Sequence, residues 1–239
     1  MWRKIIPLTL FVLPLFTHVA SAASQLVVVK SNVDAIAPGK LINPGKPLSL
    51  AKGQTITVVT ATGSVIRLSG PYSGKVAVPS KRRSSDKIVR TLSDLFKPGL
   101  DDHVNLAVTR NRFGAAKPAD PWVVHLALPG PHCIPAKAPV ILWRSKAGRK
   151  ILVTMRAKGR GPVAVVEWPD GARKLPWPRQ IEIVSSRTYQ ANIDAWRRDK
   201  IFRVFVVPAK LSTDIQRVVW MAEHGCRRQA RLLLERTAG

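Results

Sequence analysis

The side chains with the most chemistry to offer are Cys133 and Cys226, the two cysteines of a 239-residue chain. Two thiols support two kinds of chemistry. Oxidised to one disulfide, they close everything between them into a covalent loop. For a loop of about 90 residues the chain-entropy model assigns such closure about 4–5 kcal/mol. Reduced, a cysteine beside a histidine can become a thiolate nucleophile. Cys226 stands in Glu223-His224-Gly225-Cys226-Arg227, so His224 keeps that second chemistry open, and Cys133 follows His132. A third spacing, Ser84-x-x-Lys87, sets a hydroxyl near an amine. No cluster of His, Cys, Asp and Glu has the spacing of metal ligands, and no cofactor is expected.

The beginning of the chain favours the oxidised state. Met1 to Lys4 is a short basic region, and Ile5 to Val19 is an apolar run interrupted by Pro7 and Pro14. Ala20-Ser21-Ala22 then has the small residues of a signal-peptidase site, so cleavage is expected between Ala22 and Ala23. The apolar run falls short of the about 20 residues a bilayer span needs. The expectation is a signal peptide over residues 1–22 and a mature chain, without a membrane span, in the periplasm or outside the cell. In an oxidising compartment, two cysteines with none to spare read as a Cys133–Cys226 disulfide.

Charge is the strongest compositional signal. Lys and Arg number 39 against 14 Asp and Glu, a net charge of +25. Such a surface attracts polyanions and acidic partners. Export turns the reading away from nucleic acid and towards an anionic envelope polymer or an acidic protein. Arg-rich composition alone would also produce a solvated basic surface.

The elements that must position these groups are mostly strands. Nineteen prolines and fifteen glycines imply many turns and short strands. From Gln25 to Pro79 the segments QLVVVK, LSL, TITVVT, SVIRLSG and GKVAVP follow one another at β-module spacing. Lys52-Gly53, Thr62-Gly63 and Gly70-Pro71 mark turns where a positive φ is useful. Val65, Arg67 and Ser69 alternate with Ile66 and Leu68, one wet and one buried face. The segment GKPLSLAKGQTITVVTATGSVIRLSGP resembles the FecR-type periplasmic domain, through Gly45, Leu48, Leu50, Gly53, Ile56, Val58, Gly63, Leu68, Gly70 and Pro71. The resemblance spans roughly a quarter of the chain. It does not extend to the anti-sigma segment and transmembrane helix of FecR regulators. It therefore implies a small periplasmic β module used for contacts, over residues 23–79, and not the signalling route.

Residues 80–120 read as a basic linker. Lys81, Arg82 and Arg83 are a candidate anion or partner site, and Ser84-Ser85-Asp86 can cap a short helix carrying Ile88, Val89, Leu92, Leu95 and Phe96. Ser84-x-x-Lys87 resembles the Ser-x-x-Lys of penicillin-binding enzymes, whose other motifs are absent. Residues 121–239 form the second block. Its opening stretch, Trp122 to Arg144, holds two strand-like runs, a Pro-rich turn and Cys133. WVVHLAL, PVILWR, KILVTMRA, PVAVVEWP, QIEIV and FRVFVVP are strand candidates, and Asp170-Gly171 signals a hairpin turn. Trp143, Trp168 and Trp177 are either core fillers or an aromatic platform for a sugar or cation. His125 and His132 read as structural. Ser212-Thr213-Asp214 caps a terminal helix with a stripe of Ile215, Val218, Val219 and Ala222, and Gly225 breaks it before a second helix bearing Cys226, Ala230, Leu233 and Leu234. Arg227 and Arg228 lie off the stripe and join the candidate anion site.

His224-Gly225-Cys226 is similar to the Ser/Thr-His-Gly-Cys segment of L,D-transpeptidases, which implies a nucleophilic Cys226. Glu223 replaces the hydroxyl residue, however, and the partner histidine has no counterpart. The expected fold is mainly β, α+β overall: two sandwich- or barrel-like modules, a linker helix and a C-terminal helical hairpin. The expected function is a non-catalytic, exported envelope protein that binds an anionic polymer or acidic protein. The alternatives are a cell-wall thiol enzyme using Cys226 and a structural accessory subunit of an envelope complex.

Overall fold

Four consecutive residues, Leu26 to Val29, are buried at the start of the folded chain, so their strand is covered on both faces. In the computed structural model, which describes residues 25–79, 85–97, 118–193 and 198–239, this strand is β1 (Leu26–Ser31). It pairs antiparallel with β2 (Leu41–Ile42) and β4 (Thr55–Val59), and β5 (Val65–Ser69) completes a sheet ordered β2-β1-β4-β5. β3 (Leu48–Leu50) and β6 (Tyr72–Gly74) form a separate antiparallel pair. The alternation of a strand sends Leu26 and Val28 to one side, where they meet Leu50, Ile56, Val58 and Val76. Val27, Val29 and Val59 point to the other side and need a cover of their own.

Three helices supply it. α1 (Asp86–Phe96) brings Val89, Leu92 and Leu95; α2 (Asp214–Glu223) brings Ile215, Val218 and Met221; α3 (Arg227–Ala238) brings Ala230, Leu233, Leu234 and Ala238. The last two come from the far end of the chain, yet their stripe shares one cluster with β1 and β4. Each aliphatic side chain fully buried in this way contributes about 1.5–3 kcal/mol. Thr213 and Gln216 close a reciprocal capping box on α2, whereas Ser85 occupies the N-cap of α1 without a side-chain bond.

Among the described residues the second block holds eight strands. β10 (Ile151–Ala157), β11 (Val163–Trp168), β13 (Thr188–Ile193), β14 (Lys200–Val207) and β8 (Gly130–Pro135) make a five-stranded sheet in the order β11-β10-β13-β14-β8. β12 (Lys174–Pro176), β9 (Ile141–Trp143) and β7 (Val124–His125) make a smaller one. Val153, Met155, Ala164, Tyr189, Phe202 and Val204 from the large sheet pack with Leu142 and Leu175 from the small one. Trp168 and Trp177 are 1 % and 8 % exposed within that core, and Trp143, 4 % exposed, is buried beside His125, so the three form no exposed platform.

Several strand expectations shift. Of WVVHLAL only Val124–His125 is a strand. QIEIV is none, because the Tyr189 hydroxyl accepts from the Val184 N–H and donates to the Glu182 carbonyl, taking up backbone groups a ladder would use. Of GKVAVP only Gly74 is in a strand, as the end of Tyr72–Gly74, and Val76 is buried without pairing. Asp170-Gly171 is a turn, but it joins strands of different sheets and makes no hairpin. Gly70 is needed for space, not for φ: a Cβ there would fall 1.8 Å from the Ala51 carbonyl oxygen.

The larger correction is the Pro-rich turn of residues 130–135, which is strand β8, paired parallel with β14. Alternate residues of a strand turn their N–H groups to opposite sides. Cys133 bonds away from β14: its N–H donates to Gln229 Oε1 at 2.7 Å and its carbonyl accepts from Gln229 Nε2 at 2.8 Å. Pro131 and Pro135 share that alternation, so the N–H groups they lack belong to the outer side, where no ladder is lost.

Cys133 is also bridged to Cys226, with Cα atoms 5.9 Å apart. Gly225 sets the elbow that makes this reach possible. At φ +78° it lets its own N–H bond the Ala222 carbonyl and the Cys226 N–H bond Met221, the paired bonds of a Schellman ending. Replacing both cysteines with alanine should lower unfolding free energy by about 2–5 kcal/mol in urea denaturation. Gln229→Leu, which strands both Cys133 backbone groups, should cost about 1–3 kcal/mol or more by the same assay.

Candidate functional site

Period-two alternation gives the five-stranded sheet an outer face as well as a core face. The outer row on β10 is Leu152, Thr154 and Arg156; on β11 it is Val163, Val165 and Glu167; on β14, Ile201 and Arg203. The helices cover the corner of this face that carries Cys133 and Val207, with Phe205 packed against them. The rest is open. Leu152, Val163, Val165 and Ile201 are 46 %, 52 %, 60 % and 47 % exposed.

A shallow pocket of about 170 Å3 lies on the same face, lined by Thr154, Arg156, Val163, Gln190, Asn192 and Asp199. Asp199 organises it: its two oxygens accept from Gln190 Nε2 at 3.0 Å and Asn192 Nδ2 at 2.6 Å. A guanidinium, a hydroxyl and two oriented amides around an aliphatic floor form a hydrogen-bonding surface. Among the described residues no group of three His, Cys, Asp or Glu side chains is placed to hold a metal ion.

Basic side chains border the face. Arg156, Lys158 and Arg160 are exposed at and beyond the end of β10, and Arg203 is exposed on β14. The one acidic side chain of β11, Glu167, is bonded to Lys150 at 2.9 Å. Open apolar area rimmed by polar groups is characteristic of interaction surfaces.

The sequence-derived candidates lie elsewhere. Cys226 is disulfide-bonded and 2 % exposed, so in this state it offers no thiolate. His224 stacks on Trp220 with ring centroids 3.7 Å apart, and its Nδ1 lies 2.8 Å from the Trp220 carbonyl oxygen. Arg227 donates to the Asp94 carbonyl at 2.6 Å, tying α3 to α1. Arg228 is half-buried near His125 and His132. Lys87 pairs with Glu223 at 2.8 Å. Ala22, Ala23, Lys81, Arg82, Arg83 and Ser84 lie outside the described residues. The local signal of the open face in the sequence is the alternation of Val163, Val165 and Glu167 with Ala164, Val166 and Trp168.

His132, buried on β8, and His125, partly buried on β7, are neutral rings. Burial is the main cause that lowers His125 from its ordinary 6.5 to about 4, reinforced by His132 and Arg228. Burial likewise brings His132 to about 4, against the bond to the Gly130 carbonyl. Both rings take protons more readily when unfolded. Stability is therefore fully present above pH 6.5 and is lost as pH falls towards 4. A shift of that size at one site is worth about 3 kcal/mol. Urea denaturation of wild type at pH 7.5 and pH 4.5 should show this loss, and His132→Phe, facing Phe202, should reduce it.

The sequence matches no known family model and no curated protein.

Proposed function

We propose that this chain is an exported, non-catalytic envelope protein that binds an anionic polymer or an acidic protein. The observation that carries this reading is the open outer face of the five-stranded sheet, where exposed aliphatic side chains are bordered by Arg156, Lys158, Arg160 and Arg203. Two physical effects support it. A net charge of +25 steers acidic partners towards the molecule, and removal of Leu152, Val163, Val165 and Ile201 from water would supply affinity that salt does not screen.

The disulfide fits an oxidising compartment, and no helix among the described residues is long and apolar enough to cross a membrane. Both are consistent with a cleaved signal peptide ending at Ala22 and a periplasmic or extracellular location. The FecR-like segment supplies a second module of contact type on this reading.

The test is binding of the purified full chain to immobilised polyphosphate and to immobilised polyglutamate at low and physiological ionic strength. Retention should weaken with salt. Arg156→Glu together with Arg203→Glu should reduce affinity about tenfold, equivalent to about 1.4 kcal/mol. Salt-insensitive retention, or retention unchanged in the double variant, would remove this face from the reading.

A further inference from the structure

The five-stranded sheet ends in two edge strands, and the chain treats them differently. The β8 edge is closed. Pro131 and Pro135 carry no N–H on that side, and Gln229 takes up both the N–H and the carbonyl of Cys133. These are devices by which proteins blunt a free edge. At the opposite edge, β11 pairs with β10 in unbroken register from Val163 to Trp168 and, among the described residues, has no strand on its other side. It contains no proline, bulge or lysine. Its flanks, Pro162 and Pro169, bound the strand without blocking its middle.

An edge strand of six residues with Val163 and Val165 exposed is an open template for another strand. A second copy of this chain would bring a second net charge of +25 to the same place, which opposes pairing. An acidic segment meets the reverse situation. Arg156 lies opposite Val163 in the ladder, and Lys158 and Arg160 follow in the β10–β11 connection, all three exposed.

We propose that β11 is a docking edge for an extended acidic segment of a partner protein, added to the sheet as a sixth strand. The segment's carboxylates would lie on the face of Val163 and Val165, where they meet Arg156 with Lys158 and Arg160 beyond it, and its alternate apolar side chains would extend the row of Ala164, Val166 and Trp168 on the other face. Backbone pairing supplies affinity, and the side-chain alternation supplies selectivity for acidic over basic strands. The proposal rests on the binding reading above and narrows it to one edge and one partner chemistry.

The experiment uses the full chain with its disulfide intact and a fluorescein-labelled octapeptide alternating glutamate and valine. Two further versions of the peptide carry N-methyl groups on one or the other set of alternate backbone nitrogens. Charge is identical in all three, but each methylated set removes the donors from one side of the strand. Fluorescence anisotropy should show binding of the unmodified peptide and a loss of about tenfold or more for one methylated version only. Val165→Glu, which keeps the backbone and reverses the local preference, should weaken binding about tenfold. Equal binding of all three peptides would overturn strand addition and leave charge-driven binding standing. No peptide binding, with polyphosphate still bound, would also overturn the docking edge while sparing the broader reading. Absence of binding to either probe would overturn both. The peptide comparison is made on wild type, so it remains decisive if the Val165 variant folds poorly.

Discussion

Cys133 is held from three directions: a parallel ladder with β14, the Gln229 amide on the opposite side, and the covalent bond to Cys226. This clasp fastens the edge of the five-stranded sheet to the elbow between α2 and α3. The elbow carries the stripe that covers β1 and β4, so the clasp links the second sheet to the core of the first. The disulfide restricts the unfolded chain, whereas Gln229 satisfies groups that would otherwise be buried without partners. The two contributions act on different states. One constrains the ensemble that folds, and the other specifies where the helix pair sits once folded.

The closure joins distant parts of the sequence. The first strand and last helix share a cluster, and Arg227 bonds the carbonyl of Asp94 in α1 across the same seam. The helices are therefore common to both blocks: α3 packs on β1 while its preceding residue is bonded to β8. A face of β1 bearing Val27 and Val29 would be exposed without them. Burial in the second block also keeps His132 on β8 and His125 on β7 neutral, because a charged imidazole would lose its hydration there.

The large sheet, by contrast, is finished on one side only. Its inner face is filled by aromatic and aliphatic side chains, with Trp177 donating its indole N–H to Ile181 and meeting Tyr189 edge-on. Its outer face is covered where the helices reach and open beyond them. Exposed aliphatic area is costly in water, and an unblocked edge strand invites pairing. Both features occur together on β10 and β11, beside a cluster of basic residues, while the opposite edge is closed by prolines and an amide.

Local chemistry determined much of this in advance. The β-branched runs that form β1, β4, β10, β11 and β14, the capping box at Thr213 and the glycine break at Gly225 each follow from residues within one or two turns of themselves. The pairing of the two cysteines followed from their number. What the sequence could not disclose depends on partners far along the chain. GPHCIP looks like a turn because of its prolines; it is a strand because β14, some seventy residues later, pairs with the side on which prolines lose nothing. QIEIV has a strand's composition, but Tyr189 claims its backbone. Arg227 and Arg228 look like free surface cations, and packing of α3 turns them inward. Which sheet face stays open was likewise decided by where the helices came to rest, since periodicity marks two faces of a strand but only tertiary packing chooses which one is covered.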